Sequence, residues 1–321
     1  MKRLSANSAA SDDSRQRPGV RRLCAALVCL VLGLGFLGCS DRQRVVVVYT
    51  SQDQIFTEPI FADFTRETGI KVLPVFDSES VKTAGLVQRL LAEKGNPKAD
   101  IFWSNEEMLA GELTRWGALD SNSWARVGWR VRRLIFNTNL VKESEAPKSM
   151  LELTDPKWAG KVAMAYPIYG TTAAHMVALR GTWGDEKWRH WCEAFAANDP
   201  KIVDGNSIVV RLVGAGEVAV GLTDSDDFAA GLRNNLPIAC APACGKVEEF
   251  TRIPNSIGVV VGAPHPAEAR ALLEFLQSPE ALDRLVKARA LEEAQYKGGG
   301  LPANAPVEET RDLLKTLFAR K

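Results

Sequence analysis

The sequence predicts an α/β fold in two lobes with a cleft between them. Three observations predict it. Short apolar runs rich in β-branched residues alternate with segments whose apolar residues recur at helical spacing. The alternation breaks at a connector punctuated by Pro147, Pro156, Trp158 and Gly160, and then starts again. The 321-residue length is enough for two domains, and 46% hydrophobic with 25% charged residues is ordinary for a globular chain.

Residues 1–38 are not counted in that fold. Lys2, Arg3, Arg15, Arg17, Arg21 and Arg22 precede the apolar run Leu23–Leu37, which is short for a membrane span and fits the central region of a signal peptide. Phe36-Leu37-Gly38-Cys39 resembles the lipobox of bacterial lipoproteins, with Phe36 in place of the usual Leu. The resemblance implies a lipid on Cys39 as the first mature residue; the plainer alternative is secretion with cleavage nearby. Residues 39–43 are then a polar tether. Residues 1–38 hold six basic and two acidic groups, so the remainder carries a formal charge of −3 against +1 for the whole chain. No basic surface is implied, and nucleic acid is not an expected partner.

The elements follow in order. Val45–Val48 reads as a strand feeding the polar loop Tyr49–Gln54, and Ile55–Thr68 as a helix stopped by Gly69. Ile70–Phe76 with Val81–Lys94, and Asp100–Trp103 with Glu106–Trp116, repeat the unit. Such repetition implies a parallel sheet with right-handed crossovers. Leu134–Phe136 is a further strand before the connector. Val162–Ala165 opens the second series, with helices Thr171–Leu179 and Glu186–Ala197. Ile238–Cys240, Val247–Phe250 and Ile257–Val261 read as strands, Ala267–Leu276 and Pro279–Ala290 as helices. Gly298-Gly299-Gly300 is a joint before a last helix near Val307–Ala319.

Within the second series the stretch Asp204–Asp227 has polar side chains at both places where a ligand could be met. Asn206 or Ser207 is placed to N-cap a helix through Ala215, and Val218–Leu222 suits a buried strand. Thr223-Asp224-Ser225-Asp226-Asp227 then crowds three carboxylates at the strand's carboxyl end, where ligands bind in open α/β sheets. Of the six cysteines, Cys192, Cys240 and Cys244 remain beyond Cys39; Cys240 and Cys244 could close a local disulfide, or one of them could pair with Cys192.

The order and spacing of several segments, from about Val45 to Pro279, carry a family resemblance. They are V-V-V-Y-T-S-Q-D-Q (46–54), F-T-R-E-T-G-I-K-V (64–72), A-D-I-F-W-S-N-E (99–106), I-F-N-T-N-L-V (135–141), L-T-D-P-K-W-A-G-K-V-A-M-A (153–165), G-E-V-A-V-G-L-T-D-S-D-D (216–227) and P-N-S-I-G-V-V-V-G-A-P-H-P-A-E-A (254–269). The chain resembles an extracellular solute-binding protein of ABC importers, of the ferric-iron type. The resemblance implies a type II-like periplasmic-binding-protein fold, two lobes joined by crossover strands near Phe136–Val141 and Phe250–Ser256. Lobe one is then residues 44–136 plus 255–278, lobe two 137–254, and residues 279–321 are helices packing back across both. It also implies a monomer that hands a small ligand to permease and ATPase subunits, tethered to the membrane by its lipid.

Ferric-binding members hold iron with adjacent tyrosines where this chain has Thr223–Asp227, and the chain has no tyrosine there. It has Gln52-Asp53 where a histidine is common, while Glu106 or Glu107 matches an acidic position. Two readings of the cleft follow. In one, Asp53, Glu106, Asp224, Asp226 and Asp227 offer hard oxygen ligands to Mg²⁺, Ca²⁺ or Fe³⁺, with Glu106, Asp224 and Asp227 the leading metal ligands. Against this, Asp226 and Asp227 suit the first turn of the next helix for reasons of dipole alone. In the other, Gly170-Thr171-Thr172 at a helix start, opposed by Thr50-Ser51, binds an anion while the aspartates grip an amine. Asn206 and Thr223 complete the expected ligand-binding set, and a small zwitterion such as an organophosphonate fits it. Trp103 is read as cleft lining or core, and Arg130, Arg132 and Arg133 as surface pairs or, for one of them, an anion clamp.

An enzyme is not expected. The sequence contains no H-E-x-x-H, G-x-S-x-G or P-loop motif and only three histidines. A metal-dependent secreted hydrolase and a ligand sensor for a membrane receptor are the competing classes.

Overall fold

The computed structural model describes residues 43–76, 84–245, 252–294, 301 and 305–319. The signal segment, Cys39, the Val247–Phe250 strand and the glycine joint lie outside the described residues, as do the first residues of the helix expected from Val81.

The four-valine run becomes β1 (Val45–Thr50), paired in parallel with β2 (Lys71–Phe76) on one side and β3 (Ile101–Ser104) on the other. α1 (Gln54–Thr68) connects β1 to β2 and ends at Gly69, whose φ of 72° lets its N–H reach Thr65 O at 2.9 Å. α2 (Ala84–Ala92) and α3 (Met108–Arg115) follow β2 and β3. The second series has the same grammar. β5 (Val162–Ala165) leads to α4 (Gly170–Trp183) and α5 (Asp185–Ala197); β6 (Lys201–Val203) leads to α6 (Asn206–Gly214); β7 (Val220–Asp224) leads to α7 (Ser225–Arg233). β5 pairs in parallel with both β6 and β7.

The expected all-parallel sheet is corrected by two long strands. β4 (Leu119–Asn137) and β9 (Arg252–Val260) run antiparallel to each other, β9 also to β3, and β4 also to β7 and to β8 (Ile238–Cys240). The strand path is therefore β2-β1-β3-β9-β4-β7-β5-β6. β4 starts fifteen residues before the expected Leu134, because its polar Asp120–Ser123 stretch hides the strand signal. β4 pairs with β9 as far as Val131 and with β7 from Arg132 onward, so one strand joins the two parallel sets. Pro254 lies opposite Trp129 beside a register shift, the setting in which a strand tolerates proline.

Each set has its own core. In the first, Phe61 meets Trp103 edge-on at 5.9 Å, so Trp103 is core and does not line a cleft. In the second, Trp191 stacks on Phe195 at 4.8 Å beside fully buried Trp188. Burying such side chains contributes about 1.5–3 kcal/mol each. α8 (Pro266–Leu276) and α9 (Pro279–Lys287) extend the first core. α10 (Val307–Leu317) places Leu314 in the second core while Arg311 reaches Glu112 of α3 at 3.3 Å. Of the two disulfide arrangements, the local one forms between Cys240 and Cys244, and Cys192 is a buried free thiol.

Candidate functional site

The site begins with alternation along β4. Successive strand residues face opposite sides, so Arg130 and Arg132 share one face. Arg132 also lies directly opposite Asp224, the last residue of β7, in the antiparallel register. The pair is fully buried, with Arg132 Nη1 2.5 Å from Asp224 Oδ1. Asp224 Oδ2 accepts from Thr171 Oγ1 at 2.6 Å and from Asn206 Nδ2 at 3.0 Å. The starts of α4, α6 and α7 thus converge on one carboxylate. Gly170, at φ 63°, supplies the left-handed turn that opens α4.

Asn206 does not cap α6 as expected. Gly205 is the N-cap, and the Asn206 amide is turned to Asp224 and to Arg132 Nη1, 3.1 Å from its Oδ1. A buried carboxylate and guanidinium are a stronger attraction than a helix N–H that water can serve. Thr172 Oγ1 is 3.5 Å from Asn206 Oδ1, and Thr223 Oγ1 donates to Asn206 O at 3.2 Å.

Arg130 makes the second pair. Its Nη1 lies 2.9 Å from Asp226 Oδ2, and its Nη2 donates to Gln52 Oε1 at 2.6 Å. Gln52 Oε1 also accepts from Asn255 Nδ2 of β9 at 3.3 Å. Burial pushes the Asp226 carboxyl up to about 7, against the pull of Arg130 and with Asp224 and Asp53 adding to the rise. Burial works against the charge of Arg130 too, yet Asp226, Asp224, Asp53 and Asp227 together hold its pKa above the ordinary value.

The expectation that these arginines are mainly surface pairs is overturned for two of the three. Arg130 and Arg132 are 2% and 0% exposed, while Arg133, on the opposite face, pairs with Glu292 at 2.8 Å. The signal was in the sequence: R-V-R inside an apolar strand puts both guanidiniums on one side. Among the described residues, Arg130 Nε, Arg132 Nε and Arg132 Nη2 are buried and donate no hydrogen bond; Gln52 Nε2 is in the same condition, and the Asp226 oxygens, though ion-paired to Arg130, accept none.

The remaining expected residues divide. Asp224, Asp226 and Asp227 bring carboxylate oxygens within 4.8 Å of one another, a possible cation-binding set. Glu106 stands outside that group. Its oxygens accept the N–H of Met108 at 2.5 Å and of Leu109 at 3.2 Å, capping α3. Ser51 Oγ accepts Asn105 N at 3.0 Å, and Thr50 Oγ1 accepts Gln52 N at 3.0 Å, so both hydroxyls shape the loop after β1. Asp53 is the N-cap residue of α1.

Strand ends and helix starts from two lobes, meeting over paired arginines, define a ligand-binding protein of the two-lobed kind. The chain belongs to the bacterial extracellular solute-binding protein family, whose model matches residues 45–288, and it is a substrate-binding component of an ABC importer. It is similar to the Fe(3+)-binding periplasmic protein of Serratia marcescens, 26% identical over 88% of each chain. It is also similar to the putative 2-aminoethylphosphonate-binding periplasmic protein of Salmonella typhimurium, 27% identical over 76% of this chain and 77% of that one. Among solved structures, iron-bound HitA from Pseudomonas aeruginosa superposes with a TM-score of 0.71 at 19% identity, covering 86% of this chain and 99% of that one. The family is one of binding proteins. No helix among the described residues is long and apolar enough to cross a membrane.

Proposed function

We propose that this protein captures a small anionic or zwitterionic solute, of the organophosphonate kind, and delivers it to a membrane permease. The observation that carries this reading is the pair of buried guanidiniums with three donor nitrogens left over. Unpaired buried donors are costly, and an oxyanion satisfies them with charge-assisted hydrogen bonds. Asp224 fixes Arg132 through the fork's other nitrogen, so the carboxylate positions the donor and does not itself have to meet the ligand. Asp226, Asp227 and Asp53 lie on the same charge network and suit an ammonium group on the far end of the solute. A relative bearing the 2-aminoethylphosphonate name supports the class.

Lobe one is taken as residues 44–136 plus 255–278 and lobe two as 137–254, closing on the ligand by hinge motion. Closure adds its own equilibrium to the observed affinity. A lipid on Cys39 would hold the protein at the membrane beside its permease and ATPase.

Ferric ion with an accompanying anion is the second reading, favoured by the three clustered carboxylates and by the iron-binding relatives. It is weaker because Arg132 is hydrogen-bonded to Asp224 and the Arg130 cation stands 2.9 Å from Asp226 Oδ2, so both cations compete with a metal, although the Asp226 oxygens accept no hydrogen bond among the described residues. Native mass spectrometry of the purified 40–321 protein, against its denatured mass, separates the two. A metal-free organic adduct, or one equivalent of added 2-aminoethylphosphonate retained, is the expected result. An adduct containing iron would overturn it.

A further inference from the structure

A groove of about 950 Å³, whose lining includes neither Arg130 nor Arg132, is walled by the start of α1, the length of α7, the end of α9 and the Cys240–Cys244 disulfide. Ser225, Phe228, Ala229, Leu232 and Arg233 recur at helical spacing, so one face of α7 lines this groove, while Asp226, which does not line it, pairs with Arg130. α1 contributes buried Phe56 and Ile55, which is 69% exposed. Exposed Ile55 and Leu232, with Phe56 and Phe228, give the groove an apolar lining, and its size suits a small molecule.

The rim is cationic. Arg133, Arg233, Lys287 and Arg289 line the groove, Glu292 is the one carboxylate lining it among the described residues, and Arg133 already holds Glu292 at 2.8 Å. Lys287 pairs along its own helix with Asp283 at 2.6 Å. Arg233 has no carboxylate partner among the described residues; its guanidinium sits over the Phe56 ring at 5.5 Å, and Nη1 is 3.5 Å from Ala288 O. Arg289 makes no ion pair with the described residues, and it is held at φ 63° at the end of α9. Two guanidiniums without carboxylate partners among the described residues, beside an apolar lining, are complementary to one kind of occupant.

We infer that this groove is a second ligand site, for an amphipathic anion: an apolar or aromatic body on Phe56, Phe228 and Leu232, and an acidic head on Arg233 and Arg289. Its walls come from α7 on one side and from α1 and α9 on the other. An occupant therefore touches elements of both strand sets and links them without entering the arginine site.

Two fluorescent probes of nearly equal shape test this on the 40–321 protein: 1-anilinonaphthalene-8-sulfonate, and uncharged N-phenyl-1-naphthylamine. The sulfonate is expected to bind at one saturable site, at least about tenfold tighter than the neutral probe, a gap of about 1.4 kcal/mol. Arg233→Glu combined with Arg289→Glu should weaken the sulfonate at least tenfold and leave the neutral probe unchanged. Both residues are exposed, so circular dichroism and melting temperature are expected to match the parent protein. Arg132→Lys should leave probe binding intact, which distinguishes the groove from the arginine site. Equal affinity for both probes, undiminished sulfonate binding in the double variant, or no saturable binding would each overturn the inference.

Discussion

Arg132→Lys separates the two tasks that Arg132 performs. One nitrogen, Nη1, holds Asp224 at 2.5 Å, while Nε and Nη2 are buried and donate to none of the described residues. Lysine keeps a cation for Asp224 and loses the planar fork that presents the other two donors. Arg132→Ala removes both, leaving Asp224 buried with Thr171 and Asn206 as its donors among the described residues. Breaking a buried ion pair costs about 3–5 kcal/mol, and the two surviving donors place this case near the lower end, about 3 kcal/mol. The lysine variant should lose clearly less stability than that. Binding behaves differently. Hydrogen bonds to charged groups contribute about 1.5–3 kcal/mol each, so losing two weakens an oxyanion ligand by about 3 kcal/mol or more. That corresponds to a dissociation constant raised on the order of 100-fold. Calorimetric titration with 2-aminoethylphosphonate and with inorganic phosphate reads the affinity, and urea unfolding reads the stability. A folded Arg132→Lys protein that binds these anions as tightly as the parent would refute the assignment of the free donors to the ligand.

Two further perturbations test the physical argument away from the ligand. Burial pushes Glu106 up to about 7 in spite of the N–H bonds from Leu109 and Met108, well above an unfolded value of about 4.3. A raised folded-state pKa gives stability that is complete below the unfolded pKa and is lost as pH rises through the folded one, so melting temperature should fall between about pH 4.5 and 8. Glu106→Gln should flatten that fall, and an unchanged slope in the variant would count against the burial argument. Gly128 has φ 86°, and a Cβ there would lie 2.2 Å from Leu291 Cδ1. Gly128→Ala is expected to cost about 1–3 kcal/mol through overpacking, read by urea unfolding, and a parent-like midpoint would show that β4 and Leu291 yield more easily than their packing implies.

How much of this was legible beforehand depends on the range of the interactions. β1, α1, β5, α4 and α5 follow from local pattern, because apolar period and a stop residue such as Gly69 act over a few positions. β4 and β9 were underestimated, because their polar and proline-bearing stretches are strands only when paired with each other. Among site residues, Asp224 and Thr171 were visible as a strand end and a helix start, and the structure brings them within hydrogen-bond distance. Glu106 was visible as an acidic residue before a helix, yet its oxygens turn to α3.

The sequence by itself determined the two-lobed α/β architecture, the family, and the convergence of polar strand ends on one region, since each rests on spacing along the chain. Only the tertiary structure decided that Arg130 and Arg132 are interior. A guanidinium in a strand is compatible with solvent or with a buried partner, and the choice lies with the residue opposite. Antiparallel registration of β4 on β7 puts Asp224 beside Arg132, and the turn into α7 puts Asp226 beside Arg130. Paired in this way, two charges that would otherwise be expelled to water are retained inside, with three donors to spare.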